Sequence, residues 1–178
     1  MSRQLTTTGR PTARAVGPLD AGAALRALVP VLRHLAGRRI ELTTDLPARL
    51  PFARADAADF DRVLLNLVLN ARDASRPGGS IALRADVAGV EPDRAGWPAD
   101  RPPGEYLAVT VADQGCGMTE EVRARMFDLF FTTKGDRGTG LGLAAVRDAL
   151  AAGRGHIEVE SEPGWGTSVR VYWPLEKR

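Results

Sequence analysis

The stretch from Asp113 to Leu143 restricts this chain more than any other. It opens with Asp113-Gln114-Gly115-Cys116-Gly117-Met118 and passes through Phe127-Asp128-Leu129-Phe130-Phe131-Thr132-Thr133-Lys134. It closes on Gly138-Thr139-Gly140-Leu141-Gly142-Leu143. Glycines at this density let a backbone turn through positive φ and come close to a ligand. The second cluster leads into an Ala/Leu-rich segment with helical character. Free backbone N–H groups and the positive end of a helix dipole would therefore face an anion. A nucleotide phosphate is the first candidate, and the rest of the chain must supply a fold that carries it.

A chain of 178 residues suits one domain of ordinary size. Its 44% hydrophobic and 26% charged content allows a proper core without disulfide or metal staples. The 24 basic residues are scattered among 22 acids, for a net charge of +2, unlike the basic stripe of a nucleic-acid binder. The single cysteine, Cys116, excludes an intrachain disulfide and suits a reducing cytosol. No apolar run approaches the ~20 residues that span a bilayer, and polar residues follow Met1 where a signal peptide would be apolar. These features predict a cytoplasmic domain that touches neither nucleic acid nor membrane, even if a longer parent protein is membrane-anchored.

Residues 1–18 carry no apolar period and are expected to form a flexible arm, with one domain over residues 19–178. Asp20 can cap a helix carrying Ala24, Leu25, Leu28, Val31, Leu32 and Leu35, with Pro30 inside it as a kink or break and Gly37 as its end. Arg39 to Thr43 alternates like a half-buried strand. After a loop from Leu46 to Arg54, Asp56 or Asp59 can cap a long helix running to Ser75, with Phe60, Val63, Leu64, Leu67, Val68 and Ala71 on its apolar side. Ile81–Val87 and Tyr106–Val111 read as strands joined by a long exposed hairpin loop, Gly89 to Gly104. A helix over Leu141–Ala152 then precedes two last strands, Ile157–Ser161 and Thr167–Trp173. Hairpin pairs separated by helices predict an α+β protein, a two-layer sandwich in which helices cover one face of a mixed, mostly antiparallel sheet.

Within the long helix, Asn66, Asn70 and Asp73 are spaced by four and three residues and share one face. Buried unpaired amides are costly, about 1–3 kcal/mol each, so the stripe either bridges to neighbouring backbone or faces a ligand. An asparagine carbonyl oxygen is a suitable hard ligand for Mg²⁺. Asp113, at the end of a buried-looking strand and the start of a glycine turn, could accept a hydrogen bond from an exocyclic amine.

Taken together, these residues resemble the catalytic ATP-binding domain of sensor histidine kinases. That domain belongs to the superfamily that also holds DNA gyrase, the mismatch-repair ATPases and a heat-shock chaperone, built on the Bergerat ATP-binding fold. The resemblance covers about Leu19 to Pro174, with its motifs in the family's order. Asn66 to Ala74 resembles the asparagine box and Asp113 to Met118 the first glycine box. Phe127 to Lys134 resembles the phenylalanine box, Gly138 to Leu143 the second glycine box, and Gly164-Trp165-Gly166-Thr167 the late Gly-x-Gly-Thr turn.

The resemblance implies ATP and Mg²⁺ as cofactors. It implies that Asn70 coordinates Mg²⁺, that Asn66 lines the phosphates, and that Asp113 holds the adenine amino group with a water shared with Thr167. Gly115, Gly117 and Met118 would shape the adenine pocket. Phe130 to Thr139 would be a mobile lid whose Thr132, Thr133 and Gly138 lie near the nucleotide and whose cations, Lys134 and Arg137, are the candidates to reach the γ-phosphate. Gly140, Leu141, Gly142 and Leu143 would offer backbone N–H groups to phosphates, and Asp73 would serve the pocket or a neighbouring backbone. Superfamily members that hydrolyse ATP carry a glutamate four residues before the metal asparagine, where this chain has Asn66. Transfer to an external acceptor is therefore expected, by positioning and electrostatics.

The acceptor implied by the resemblance is a histidine on a dimerisation domain, and the next partner is a response-regulator receiver domain. His34 lies on the amphipathic helix with no adjacent carboxylate to act as base, and His156 begins a strand and is similarly unpromising, so the acceptor is expected outside this chain. Ser2-Arg3-Gln4 resembles the tail of the acceptor hairpin's second helix. Two competing readings stay open at this stage. The same fold could serve as an ATP sensor or an anti-sigma-type serine kinase. Alternatively, Gly140-x-Gly142-x-x-Ala145 followed by Glu160 could be a dinucleotide fingerprint, which requires a strand directly before the glycines.

Overall fold

The computed structural model describes residues 15–92, 94–135 and 138–177. Five strands form the main sheet: β2 (Glu41–Asp45), β4 (Ser80–Val90), β5 (Gly104–Asp113), β6 (His156–Glu162) and β7 (Gly166–Pro174), in the order β2-β4-β5-β7-β6. The β2–β4 pair is parallel and the other three pairs are antiparallel. The helices are α1 (Ala21–Ala36), α2 (Ala57–Ala74), α3 (Glu120–Arg125) and α4 (Gly142–Ala152). The predicted α+β sandwich is the observed one.

Alternation along the two central strands sorts the molecule into two faces. Leu107, Val109 and Val111 of β5, with Val169, Val171 and Trp173 of β7, join the main core beneath α1, α2 and α4. Leu25 and Leu32 of α1 and Phe60, Leu64 and Leu67 of α2 fill the other side of that core. The Phe60 and Trp173 rings meet at 4.7 Å, linking helix to sheet. Asp20 caps α1 by accepting the Ala23 N–H at 2.9 Å, and Asp56 caps α2 by accepting the Asp59 N–H at 3.0 Å. Of the two candidate caps for α2, the first is therefore the one used.

Several local expectations need correction. Pro30 does not divide α1, which is a single helix through Ala36. Pro30 sits on the exposed side, where water can satisfy the carbonyl it leaves unpaired. The strand expected from Arg39 is β2 and begins at Glu41, because a turn closed by the Ile40 N–H on Gly37 O takes up the preceding residues. Residues 1–14 of the expected arm, including Ser2-Arg3-Gln4, lie outside the described residues. Gly17 and Pro18, also assigned to the arm, belong to β1 (Gly17–Leu19), which pairs antiparallel with β3 (Ala53–Ala55) in a small second sheet. Three-residue strands are too short to show a period.

The largest departure is the connector expected to be exposed from Gly89 to Gly104, of which β4 takes in Gly89 and Val90 and β5 takes in Gly104, leaving a loop over residues 91–103. It folds back over the sheet face that the helices leave open. Trp97 packs edge-on against Tyr106, His156 and Tyr172 at centroid distances of 5.0, 4.6 and 5.1 Å. The Arg94 guanidinium lies over the Trp97 and Tyr172 rings and pairs with Glu158 at 2.8 Å. Arg101 donates to Gly155 O at 3.2 Å, and the Tyr106 hydroxyl donates to Pro102 O at 2.7 Å. With Val90 and Ala108 this makes a second, smaller core. Trp97 therefore packs within its own domain.

Truncating Trp97 should cost stability without touching the opposite, helix-covered face. Trp97→Ala is expected to destabilise the domain by about 2 kcal/mol, below the 3–5 of a fully buried ring because Trp97 is half-buried. Urea denaturation reads this value, and a loss under about 0.5 kcal/mol would show that the loop is not part of the core. Burial holds the His156 imidazole below the ordinary histidine range. Glu158 opposes this, and Arg94 and Arg101 add to it. The unfolded chain then binds the proton first, so stability should fall as pH drops through about 6.5. His156→Gln should remove that part of the loss.

Candidate functional site

A cleft of about 890 Å³ opens between α2, the turn after β5, α3 and the start of α4. One end is apolar: Val111 and Val169 form its floor, with Met118, Val122 and Met126 around it. The other end is lined by Asn66, Asn70, Asp73, Thr132, Thr133, Lys134, Thr139 and Gly142. A cleft whose lining combines apolar and polar residues suits a ligand with a flat apolar part and a charged part.

Asp113 is the last residue of the central strand β5 and stands opposite Thr167 of β7. The Gly115 N–H donates to its Oδ1 at 2.8 Å. Burial raises the carboxyl above the ordinary aspartate range, against the opposing pull of the Gly115 and Thr167 backbone N–H groups. Such a carboxylate carries a desolvated charge that gains strongly from a donor brought by a ligand. The Ser161 hydroxyl joins the wall beside it by accepting the Met118 N–H at 2.9 Å and contacting Thr167 Oγ1 at 2.8 Å and Gly166 O at 3.1 Å.

The turn itself depends on Gly117. Its φ is +66°, and a Cβ there would lie 1.9 Å from Glu162 O. Any side chain would push the turn away from the β6–β7 hairpin.

The polar end is built on two helices. Asn66 donates through Nδ2 to Arg62 O at 2.9 Å, which turns its Oδ1 toward Gly142. A Cβ at Gly142 would come within 2.9 Å of that oxygen, so the glycine lets α4 begin against the asparagine stripe. The N-cap residue Leu141 supplies no side-chain cap to α4, and the N–H groups of the first helical turn favour an anion. Lys134 reaches in from the segment before α4, with its Nζ 3.0 Å from Asn70 Oδ1 and 2.8 Å from Asp73 Oδ2. Asp73 is lowered from the ordinary aspartate range: burial raises it, but hydrogen bonds and charge from Lys134 and Arg72 outweigh that.

The donor set bears on the metal that the asparagine stripe implies. Among the described residues, no group of three or more His, Cys, Asp or Glu could hold a metal ion. A cation here would have one amide oxygen and few other protein ligands. That suits Mg²⁺, which keeps waters and takes phosphate oxygens, and does not suit Zn²⁺. Asn70 Oδ1 already contacts a positive group, the Lys134 ammonium, so the position favours positive charge.

Most of the residues proposed from sequence meet in this cleft: Asn66, Asn70, Asp73, Asp113, Gly117, Met118, Thr132, Thr133, Lys134, Gly138, Thr139, Gly140, Gly142, Leu143 and Thr167. Gly115, Phe130 and Leu141 do not line it. Gly115 acts one step back, through its N–H on Asp113. Phe130 is 73% exposed at a φ of +65°, with its N–H donated to Gly140 O. Leu141 faces solvent and caps α4 through its backbone. Arg137 lies outside the described residues.

The apolar floor and α3 are not among the features expected from the sequence. Val111 and Val169 were legible as strand residues facing the helices, but nothing in their spacing marked them as lining. Thr119 caps α3 through the Val122 N–H, and the run Thr119-Glu120-Glu121 was the available signal. The dinucleotide reading fails on geometry. Among the described residues no strand lies between α3 and α4, and β6, which carries Glu160, runs antiparallel to β7.

This fold and cleft define a Bergerat-type nucleotide-binding domain. Residues 55–177 match the family described as histidine kinase-, DNA gyrase B-, and HSP90-like ATPase, and the chain belongs to that family. Among curated relatives, it is 36% identical over 158 residues to the sensor kinase CckA of Brucella abortus, covering 88% of this chain and 17% of that protein. It is 31% identical over 167 residues to the sensor histidine kinase ZraS of Escherichia coli, covering 93% of this chain and 32% of ZraS. The chain thus spans a third or less of these relatives' length. Full-length ShkA in complex with AMPPNP superposes with a TM-score of 0.71 at 28% identity, over 92% of this chain and 32% of ShkA. The nucleotide-free catalytic domain of the histidine kinase ThkA shares the fold, with a TM-score of 0.67 at 23% identity over 90% of this chain and 95% of that domain.

Asp113→Asn separates binding from stability. If the Asp113 carboxylate is the acceptor for the adenine amino group, as the resemblance implies, the variant loses a charged hydrogen bond worth about 1.5–3 kcal/mol, and adenine-nucleotide affinity should fall at least about tenfold. The folded-state pKa lies above the unfolded one, so the ionised carboxylate opposes folding at neutral pH, and this cost disappears as pH falls. The variant should therefore melt no lower than wild type at pH 7. A drop in melting temperature would mean that the Asp113 charge supports the fold.

Proposed function

We propose that this domain binds Mg·ATP and donates the γ-phosphoryl group to a histidine on a separate dimerisation and phosphoacceptor domain, from which it passes to a response-regulator receiver. The observation that carries this reading is the convergence of two elements distant in sequence. The α2 stripe and the start of α4 meet across the polar end of the cleft, where Gly142 faces Asn66 Oδ1. Asp113 stands at the other end.

The residues divide the work by chemistry. Asp113 accepts from the adenine amino group, and the apolar floor of Val111 and Val169 takes the ring. Asn70 offers its amide oxygen to Mg²⁺, with Asn66 beside it at the phosphates. The α4 N-terminus supplies backbone N–H groups to phosphate oxygens. A bound Mg²⁺ supplies charge neutralisation on the triphosphate.

Hydrolysis is disfavoured because Asn66 has no proton affinity to activate water and spends its Nδ2 on Arg62 O. The Asp73 carboxylate is held by Lys134 and Arg72. The two histidines are poorly placed as acceptors: His34 is on the exposed side of α1, and His156 packs in the outer core behind the sheet.

Calorimetry with AMPPNP, with and without Mg²⁺, tests the binding half of this reading. Wild type should bind more tightly with Mg²⁺, and Asn70→Ala should lose about tenfold or more of the metal-dependent part, as expected for an outright lost ligand. Equal metal dependence in the two proteins would remove Asn70 from the metal site.

A further inference from the structure

Lys134 binds α2 in a way that nucleotide binding does not require. It comes from the segment between α3 and α4, yet its ammonium contacts two oxygens on consecutive turns of α2, Asn70 Oδ1 at 3.0 Å and Asp73 Oδ2 at 2.8 Å. The other Asp73 oxygen, Oδ1, accepts two N–H groups of Arg72, at 2.9 and 2.6 Å. Arg72 in turn donates to Leu35 O at 3.2 Å, fixing it against α1. The carboxylate is thereby clamped, with Oδ2 presented to the lysine. The Lys134 backbone is also held, its N–H donating to Thr132 Oγ1 at 3.1 Å.

Asn70 Oδ1 is the oxygen assigned above to Mg²⁺. Mg²⁺ sits about 2.0–2.1 Å from its oxygen ligands and keeps several waters. An ammonium 3.0 Å from the same oxygen fills the space those waters would take, and its charge repels the ion. On the nucleotide reading just given, we propose that Lys134 and the divalent ion are alternative occupants of Asn70 Oδ1, with Asp73 holding Lys134 there in the nucleotide-free protein. Arrival of the metal-bound triphosphate then frees the Lys134 side chain. Asp73 is thus a dock for Lys134, not a ligand of the nucleotide, and the polar end of the cleft keeps a cation beside Asn70 in both states.

The chain has only two lysines, Lys134 and the exposed Lys177, which makes the idea directly readable. Under limiting amine acylation followed by mass spectrometry, the Lys134:Lys177 labelling ratio reports how firmly Lys134 is held. In nucleotide-free protein, Asp73→Asn should raise this ratio at least threefold, and an unchanged ratio would overturn the dock. Asn70→Ala should raise it as well and serves in place of Asp73→Asn if that variant does not fold.

With saturating AMPPNP and Mg²⁺, wild type and Asp73→Asn should give the same ratio, whereas with AMPPNP and EDTA they should remain apart. A difference that persists with Mg²⁺ overturns the exchange. Calorimetry on the same samples separates the two levels of the argument. If wild type binds no AMPPNP, the nucleotide reading and the exchange fail together, while the nucleotide-free comparison still decides the dock. Loss of binding in Asp73→Asn alone would make Asp73 part of the nucleotide site and overturn its assignment as a dock.

Discussion

A knot of backbone hydrogen bonds at the head of the central strand sets the geometry of the cleft. The Cys116 N–H donates to Ala74 O at 3.1 Å, tying the turn after β5 to the end of α2. The Gly164 N–H donates to Cys116 O at 2.7 Å, tying the same turn to the β6–β7 hairpin. The approach of Gly117 to Glu162 O leaves no room for a side chain. Three segments far apart in sequence therefore hold Asp113 between them. Its raised pKa is a consequence, since a carboxylate enclosed this tightly has few waters.

The far end of the cleft is organised differently. There the contacts are made by side chains, and the segment that contributes them, Thr132 to Gly140, contains no strand or α-helix among its described residues. Phe131 lies under the Arg125 guanidinium at 4.4 Å, while Leu129 and Phe130 stand largely exposed. The end at Asp113 is thus built from strand and backbone contacts, and the end at Lys134 from side-chain contacts to α2.

The parts of this arrangement legible in the sequence were those with a period or a chemical reason. Asn66, Asn70 and Asp73 interrupt an apolar helix at one-face spacing, and Asp113 ends a hydrophobic strand. Glycine clusters mark both ends of the cleft. Other parts left little trace. The helix α3 buries none of its six residues, so it has no apolar period. The β1–β3 pair is only three residues long. The loop over the open sheet face packs through one tryptophan, two arginines and a carbonyl, and such polar-looking residues read as solvent-exposed until their partners Tyr106, His156 and Tyr172 are known. Phe130 lies outside the cleft lining for the opposite reason. Its neighbour Phe131 turns inward, and spacing alone does not tell two adjacent phenylalanines apart in an irregular segment.

The central claim is that this domain transfers phosphate to a histidine it does not carry. It can be tested by mixing the domain with a histidine-bearing dimerisation domain of the sensor-kinase type and γ-labelled ATP. The account predicts label on the acceptor domain that is lost in acid and retained in base, is absent when the acceptor histidine is replaced by alanine, and does not accumulate on the catalytic domain. Acid-stable label on the acceptor, or release of free phosphate without any transfer, would contradict it.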